Sequence, residues 1–564
     1  MLCAGPEVPN HPGALIVTKF RSEANKIADG INKISQQDIA RPWHTGAPLE
    51  GKSPASIPVL VTTHEAYRMA LQELAYSDGG SRWERLRKYE CGNRQWLIID
   101  EAFDWTDRYS LTLGGIRSMA GDLRGVLPDS LQADALKLHD LAADLTDREQ
   151  RGSAERLLTG AQLGMLANIS IAEIAEAVSQ IHPEVFTDMV RIERADAEQE
   201  DGKEQKQTPS KIHYLRLLGE LQAIAQIGSA WVSRRRGKSC LNASRSLFDI
   251  SDMKGVILDA TASLDRSYEL HNDKVCVLDR PANIRRYDNV TLHISTGHSV
   301  GKDYLAKHAA EEWSIVWGDL KKRLDGKNVL VCAHKDVLPI LNGHELPTGT
   351  VQFTNWGKID GRNDWNTCDA IVLFGLPYPD TVTPAQTYFA ASGSQSESWF
   401  QGERKHGSHA DIRAALNDGS IARSVVQALN RAQCRNVIDV HGNCEPTDAY
   451  ILLPNGRTGE HILRAILEQM PGVKTNVWDA KGAKRKARKR PTEDRLISHF
   501  QMADPGIYLK SDVVEAIGTN PRTFERTTRK LLDSESALTV ALAENGVRYS
   551  TTTGRGKEAF FTKH

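Results

Sequence analysis

Three short apolar runs, each set against a helical repeat, constrain what the first hundred residues can fold into. "ALIVTKF" (14–20) is a buried-strand run, and after it Ala24, Ile27, Ala28, Ile31 and Ile34 recur at helical spacing. "IPVLVTTHEAYRMAL" repeats the order, with a helix opening after His64, and "QWLIIDEAF" (95–103) is a third strand that ends in two acids. Strand and helix in strict alternation give a parallel sheet, so the expected fold class is α/β.

From about 110 to 245 the pattern changes. "LQADALKLHDLAADL", "SAERLLTGAQLGMLA", "ISIAEIAEAVSQI" and "KIHYLRLLGELQAIAQIGSAWV" are helix-periodic with no convincing strand between them, and "RADAEQEDGKEQKQTPSK" (194–211) reads as a solvated loop. We expect a helical insertion over 111–249 within a first domain that spans 1–110 and continues at 250–284, where "KGVILDATASLD" (254–265) returns to the strand type. "NVLVCAHKDVLPIL", "DAIVLFGLPYP", "RNVIDVHG" and "AYILLP" restart the alternation as a second α/β domain over 285–475. A basic linker, 476–491, contains "KGAKRKARKRP" (481–491), and a small domain follows over 492–564.

Composition narrows the class. Hydrophobic content of 40% and charged content of 25% over 564 residues are those of a soluble globular chain. The net charge of −1 conceals an asymmetry, because residues 481–564 hold 17 Lys+Arg against 10 Asp+Glu, which points that end toward nucleic acid. Eight scattered cysteines with no C-x-x-C pattern indicate reduced thiols and a cytoplasmic location. The first residues lack the basic start and apolar core of a signal peptide, and no apolar run approaches the length of a membrane span.

Asp100 and Glu101 stand at the carboxyl end of an apolar strand, where ligands of open parallel sheets bind. One acid there can hold a phosphate-bound magnesium and the next can orient or deprotonate a water; a helix N-cap is the other reading. "HTGAPLEGKS" (44–53) matches the phosphate-loop pattern from Gly46 to Ser53, but Pro42 spoils a strand before it and Pro58 a helix after it. Lys52 is therefore expected in an exposed connection away from Asp100.

"IIDEAF" resembles motif II of the DEAD/DEAH-type helicases of superfamily 2, and further motifs of that family follow in register. "ALIVTKF" and "VLVTTH" look like motifs Ia and Ib, "LDATAS" (258–263) like motif III and "VLVCAHKDV" (329–337) like motif IV. "GKIDGRNDWNTCDAIVLFGLPYP" (357–379) is similar to motif V and "QALNRAQCR" (427–435) to motif VI, with Asn430 in place of the usual glycine and Cys434 where the second arginine is expected. The resemblance implies two RecA-like domains, with ATP and magnesium between them and a single DNA strand across the top. It implies that Glu101, Arg431 and Arg435 are catalytic, that Asp100, Gln427 and Gly361 bind the nucleotide, with magnesium on Asp100 through water, and that Thr261 couples hydrolysis to movement. Lys19, Thr62, Thr63, His64, Arg362 and Asn363 would contact the strand. The insertion is similar to the arch of the iron–sulfur branch, but only Cys91 lies near, so no iron–sulfur cluster is expected. The family's own phosphate loop should precede residue 14 and is not seen there, so the sheet is expected to lack a strand, or to be filled otherwise, beside 96–100.

After the linker, "RLISHF" and "LKSDVVEAIG" start two helices, and "TNPRTFERTTRKLL" a third with Asn520 as N-cap and Pro521 in its first turn. Phe524, Thr528 and Leu531 share one face of it, while Arg522, Arg526, Arg529 and Lys530 lie on another. "VRYSTTTGRGKEAFFT" reads as a hairpin carrying Arg555 and Lys557. Three helices and a basic hairpin resemble a winged helix-turn-helix that binds duplex DNA. The expected function is an ATP-dependent DNA helicase or translocase with no membrane partner; the alternative is a non-catalytic DNA-binding replication or regulatory protein on a degenerate helicase body.

Overall fold

The computed structural model describes residues 12–564 except 50, 77–79, 91, 152–154, 187–209, 236, 249–252, 280–283, 360–363, 481–491, 533–535 and 552–558. The chain forms two compact units, Met1–Ala480 and Lys481–His564.

In the larger unit the first sheet is parallel, with the order Lys254–Leu258, Trp96–Asp100, Ala14–Thr18, Val59–Thr63, Ala40–Pro42. Its central strand is buried throughout and apolar from Ala14 to Val17 because both faces are covered. Ala14 and Ile16 pack with Ala24 and Ala28 of the helix Arg21–Ser35, while Leu15 and Val17 pack with Tyr67, Ala70 and Leu71 of the helix His64–Tyr76. From Ala14–Thr18 the chain builds the sheet on one side, then crosses to Trp96–Asp100 and Lys254–Leu258 on the other. The order of winding thus reverses between 14–18 and 96–100.

Beside 96–100, where the sheet is expected to lack a strand or to be filled otherwise, Lys254–Leu258 pairs in parallel, Val256 opposite Ile98. Lys254–Leu258 is itself the edge of the sheet, with Val256 and Leu258 exposed.

The insertion contains more than the expected helices. Thr106–Thr112, Lys238–Ser246, Trp231–Arg235 and Arg156–Leu157 form an antiparallel sheet in that order, packed against helices that include Leu113–Arg124 and Ser210–Ile227. These strands were missed because their buried residues are partly polar. Asn242 is fully buried and satisfied by the Ser233 and Ser110 hydroxyls at 2.9 and 2.8 Å. The insertion also docks on the second half: the Gln386 amide donates to the Tyr109 carbonyl at 2.8 Å, and Trp231 packs among Phe389, Trp399 and Leu416.

The second sheet is parallel throughout, with the order Thr350–Asn355, Asn328–Ala333, Ala370–Phe374, Thr447–Leu453, Val290–Thr296, Lys474–Val477. The two parallel sheets agree with the α/β class. "RNVIDVHG" is not the expected strand. Residues 435–442 form a turn and loop in which the Asp439 carboxylate accepts the amides of His441 and Asn443, leaving Val440 almost fully exposed.

The smaller unit has helices Thr492–Met502, Lys510–Ala516, Pro521–Lys530 and Ala537–Glu544 on an antiparallel sheet ordered Gly506–Leu509, Phe560–Lys563, Val547–Ser550. Its core gathers Leu496, Phe500, Val513, Phe524, Leu542 and Phe561. No helix among the described residues is long and apolar enough to cross a membrane.

One guanidinium ties the amino ends of the first sheet together. Arg94 is fully buried and donates to the carbonyls of Leu86, Ile57, Pro58 and Pro54 at 2.6–2.9 Å, and to that of Ala14 at 3.4 Å. Burial pushes its pKa down to about 10, which still leaves it charged at neutral pH. Arg94→Met would strand these carbonyls without donors and is expected to lower the unfolding free energy by about 3 kcal/mol. Arg94→Lys, lacking the planar fork, should recover less than half of that in urea titrations.

Candidate functional site

The reversal between 14–18 and 96–100 opens a crevice at the carboxyl ends of those two strands, the place where open parallel sheets bind ligands. Lys19 leaves one strand and Asp100-Glu101 the other, and the Lys19 ammonium lies 3.8 Å from the Glu101 carboxylate. Glu101 takes φ +66°, a left-handed conformation uncommon for a residue with a side chain, and its amide donates to the Leu258 carbonyl at 3.2 Å. The helix that starts beyond Lys19 is closed by its own acid: Glu23 accepts from the Thr18 hydroxyl at 3.0 Å and from the Phe20 amide at 3.3 Å. Beside the acids, His64 hydrogen-bonds through Nε2 to the Asp100 carbonyl at 2.8 Å and meets Phe103 edge-on.

The second half contributes from the end of the helix Ile412–Leu429. The Arg431 guanidinium is buried and reaches to 3.7 Å from the Glu101 carboxylate, and its Nε has no hydrogen-bond partner among the described residues. Gln427 donates to the Thr261 hydroxyl at 3.3 Å, and that hydroxyl donates to Asp259 at 2.7 Å. Arg435 belongs to the same cluster. Burial, then Arg431 and Arg285, depress its pKa, and the charge of Glu101 opposes them. Glu101 therefore faces Lys19 and Arg431 in a half-buried setting, with the charge of Arg435 near enough to feel it, and the setting suits an anion rich in oxygens. Its carboxyl is held above the usual range, first by burial and then by Glu23 and Asp100, while Lys19 and Arg431 pull it down.

The two departures in the last motif have local reasons. The Asn430 amide caps the helix by donating to the Val426 carbonyl at 2.9 Å and accepts from the Tyr287 hydroxyl at 2.8 Å. Cys434 is buried in the core and turned to the Leu429 carbonyl, so the cation falls to Arg435.

Among the residues expected on the nucleic-acid strand, Lys19 lies 3.8 Å from the Glu101 carboxylate and is partly exposed. Thr62 is fully buried with its hydroxyl on the Trp43 carbonyl at 2.9 Å, and Thr63 is buried where it accepts the Ala66 amide, so neither offers a surface contact. His64 is turned inward, and burial holds its pKa at about 4, so at neutral pH it is an uncharged hydrogen-bond donor rather than a cation for phosphate. Gly361, Arg362 and Asn363 lie outside the described residues, as do Arg555 and Lys557. Lys52 is exposed on the segment that leads through the short turn Pro54–Ser56 to the amino end of Val59–Thr63, the end opposite Asp100. In the smaller unit, Arg522, Arg526, Arg529 and Lys530 are exposed while Phe524 and Thr528 are buried; Lys530 pairs with Glu493 at 2.7 Å. Sequence reasoning missed Glu23 and Arg285, and only the capping spacing from Phe20 to Glu23 could have flagged the first.

No protein-family model and no curated protein matches the chain. Among solved structures it is similar to S. cerevisiae Dbp5 bound to RNA and ADP BeF3, at 10% identity over 83% of this chain and 78% of that chain, with a TM-score of 0.28. It is also similar to T. fusca Cas3 with ADP, at 10% identity over 95% of this chain, with a TM-score of 0.25; the chain spans 49% of that Cas3. At TM-scores this low the likenesses decide nothing about activity. The site rests on its own geometry.

An acid whose pKa is higher in the folded than in the unfolded chain loses stability as pH rises from its ordinary value, 4.5 for glutamate, through the raised folded value. Glu101→Gln removes that loss. Compared with the parent, the variant is expected to melt higher at pH 7.5, and the gain should vanish at pH values below about 4.

Proposed function

We propose that this chain is the body of a superfamily 2-type ATP-dependent DNA helicase or translocase, with nucleotide held between the two parallel sheets. The observation that carries the reading is the approach of Arg431, from the second half, to Glu101 at the switch point of the first. Parallel sheets at a shared cleft occur in many proteins; an acid pair facing an arginine across that cleft is what phosphoryl transfer to water requires. On this reading the two RecA-like domains are 1–110 with 250–284, and 285–475; 111–249 is the insertion, 476–491 the linker and 492–564 a winged helix.

The residues present fit the group in part. Among the described residues no set of three or more His, Cys, Asp or Glu could hold a metal alone, which is compatible with a magnesium that takes one carboxylate, water and phosphate oxygens. Asp100 would hold that ion through water. Glu101 would orient the attacking water and accept its proton, a task that its raised pKa favours. Arg431, with Arg435 beside it, would bear on the phosphoryl oxygens as charge develops. ATP, when bound, supplies the phosphoryl group. Gln427 and Thr261 would carry the state of the site between the halves, Gly361 would approach the nucleotide, and Arg362 and Asn363 the single strand.

A second reading has two observations in its favour. The helix start at the switch point is occupied by Glu23, and Lys19 already pairs with Glu101, as in a body that binds DNA without turnover. Steady-state assays with magnesium and single-stranded DNA separate the two. Glu101→Gln is expected to keep affinity for a fluorescent ATP analogue within about threefold and to lose at least roughly 100-fold in turnover, and Arg431→Ala to lose about 1,000-fold. A parent protein with no turnover under those conditions would leave the non-catalytic reading standing.

For the smaller unit, the exposed arginines of Pro521–Lys530 would lie against duplex DNA. Replacing Arg526 and Arg529 with alanine in the full chain should flatten the slope of log affinity against log salt by about 2, because two phosphate contacts are lost. An unchanged slope would assign that helix to another partner.

A further inference from the structure

The helix Ile412–Leu429 touches the first half through residues spaced four apart, running antiparallel to the segment 258–266. Arg431, just past its end, meets Glu101, whose amide is held by the Leu258 carbonyl. Gln427 meets Thr261 at 3.3 Å. Arg423 forms an ion pair with Asp265, and both side chains are largely buried. At Gly419 the helix backbone comes so close that an added Cβ would sit 2.6 Å from the Leu264 carbonyl and 3.1 Å from the Arg266 side chain. Residues four apart in a helix lie on one inclined row, about 6 Å further along the axis at each step. Along the row the partners thus run back through the segment, from 264–266 at Gly419 and Arg423 to Thr261 at Gln427 and Leu258 near Arg431.

We propose that this row is a ruler, in which Gly419 and the Arg423–Asp265 pair are positioning residues that set where Arg431 meets Glu101. Gly419 fixes how near the helix lies, since any side chain there would hold it off. Arg423 fixes its travel along the axis, since a partly buried ion pair with one partner moved would leave a charge uncompensated. Arg431 stands two residues beyond the helical end with its amide on the Ala428 carbonyl at 3.0 Å, so the placement of the helix sets its reach. Glycine is a poor helix former, and its presence in the middle of an otherwise regular helix is explained by the approach to Leu264.

This inference rests on the catalytic reading above for its kinetic arm, and has a second arm that does not. Gly419→Ala should favour the isolated helix, so a loss cannot be ascribed to helix weakening. It is expected to lower kcat for ATP at least tenfold while KM stays within threefold. Arg423→Glu should do the same, and Arg423→Glu combined with Asp265→Arg should restore at least half of the parent kcat. Independently of turnover, amide hydrogen exchange over 259–266 should rise at least tenfold in Gly419→Ala and Arg423→Glu, with exchange in the strands 14–18 and 96–100 unchanged, and should return to the parent rate in the swapped pair. Parent-like kcat and exchange in both single variants, with Glu101→Gln inactive, would overturn the ruler and leave the catalytic reading intact. Absence of turnover in the parent would overturn the catalytic reading, and the ruler would then stand or fall on the exchange rates alone.

Discussion

The first half depends on one buried charge that has no carboxylate partner among the described residues. Backbone carbonyls from the loop before Val59–Thr63, from the helix Ser81–Arg87 and from the start of Ala14–Thr18 converge on Arg94. Because Arg94 stands two residues before Trp96, it pins the amino ends of three neighbouring strands in one register, Ala14 opposite both Val59 and Trp96. Strands of equal length fixed at one end are level at the other. That is why Lys19 and the acid pair emerge side by side, some 17 Å away at about 3.3 Å per residue.

At that far end the chain accepts several local costs together. Glu101 is left-handed, half-buried and flanked by Asp100 and Glu23, so its ionised form is disfavoured even with Lys19 and Arg431 beside it. His64 is kept neutral and spends its donor on the Asp100 carbonyl, which fixes the last peptide before the turn. A strained backbone and a reluctant carboxylate are tolerated where the surrounding structure over-determines them. Here that surrounding structure comes from both halves, through Leu258 on one side and Arg431 on the other.

Much of this was legible in the sequence, for identifiable reasons. Strands buried on both faces announce themselves as apolar runs, as 14–18, 59–63 and 370–374 did, and 96–100 carries the same apolar run although one of its faces is only partly buried. The acid pair and Arg431 were legible because charged residues at strand and helix ends stand out against such runs. The insertion's antiparallel sheet was hidden because Ser233, Asn242 and Ser244 satisfy one another or main-chain groups when buried, which composition cannot distinguish from a polar loop. Thr62 and His64 misled for the converse reason: their polar groups suggested a surface, while the fold turned them inward onto carbonyls. "RNVIDVHG" carries a strand's composition, but the Asx turn at Asp439 captures its backbone first.

The edge strand Lys254–Leu258 has a consequence for how the protein behaves in bulk. Its outer main-chain groups have no strand partner among the described residues, and Val256 and Leu258 stand in the open beside them. Proteins usually blunt such an edge with a proline, a bulge or an inward charge, because an unpaired apolar strand is a template for any other. Among the described residues this one is guarded by Lys254 at its start, whose ammonium lies over the Trp96 ring. Colloidal stability therefore hangs on these five residues, and on whether that edge is kept covered while the chain is being made.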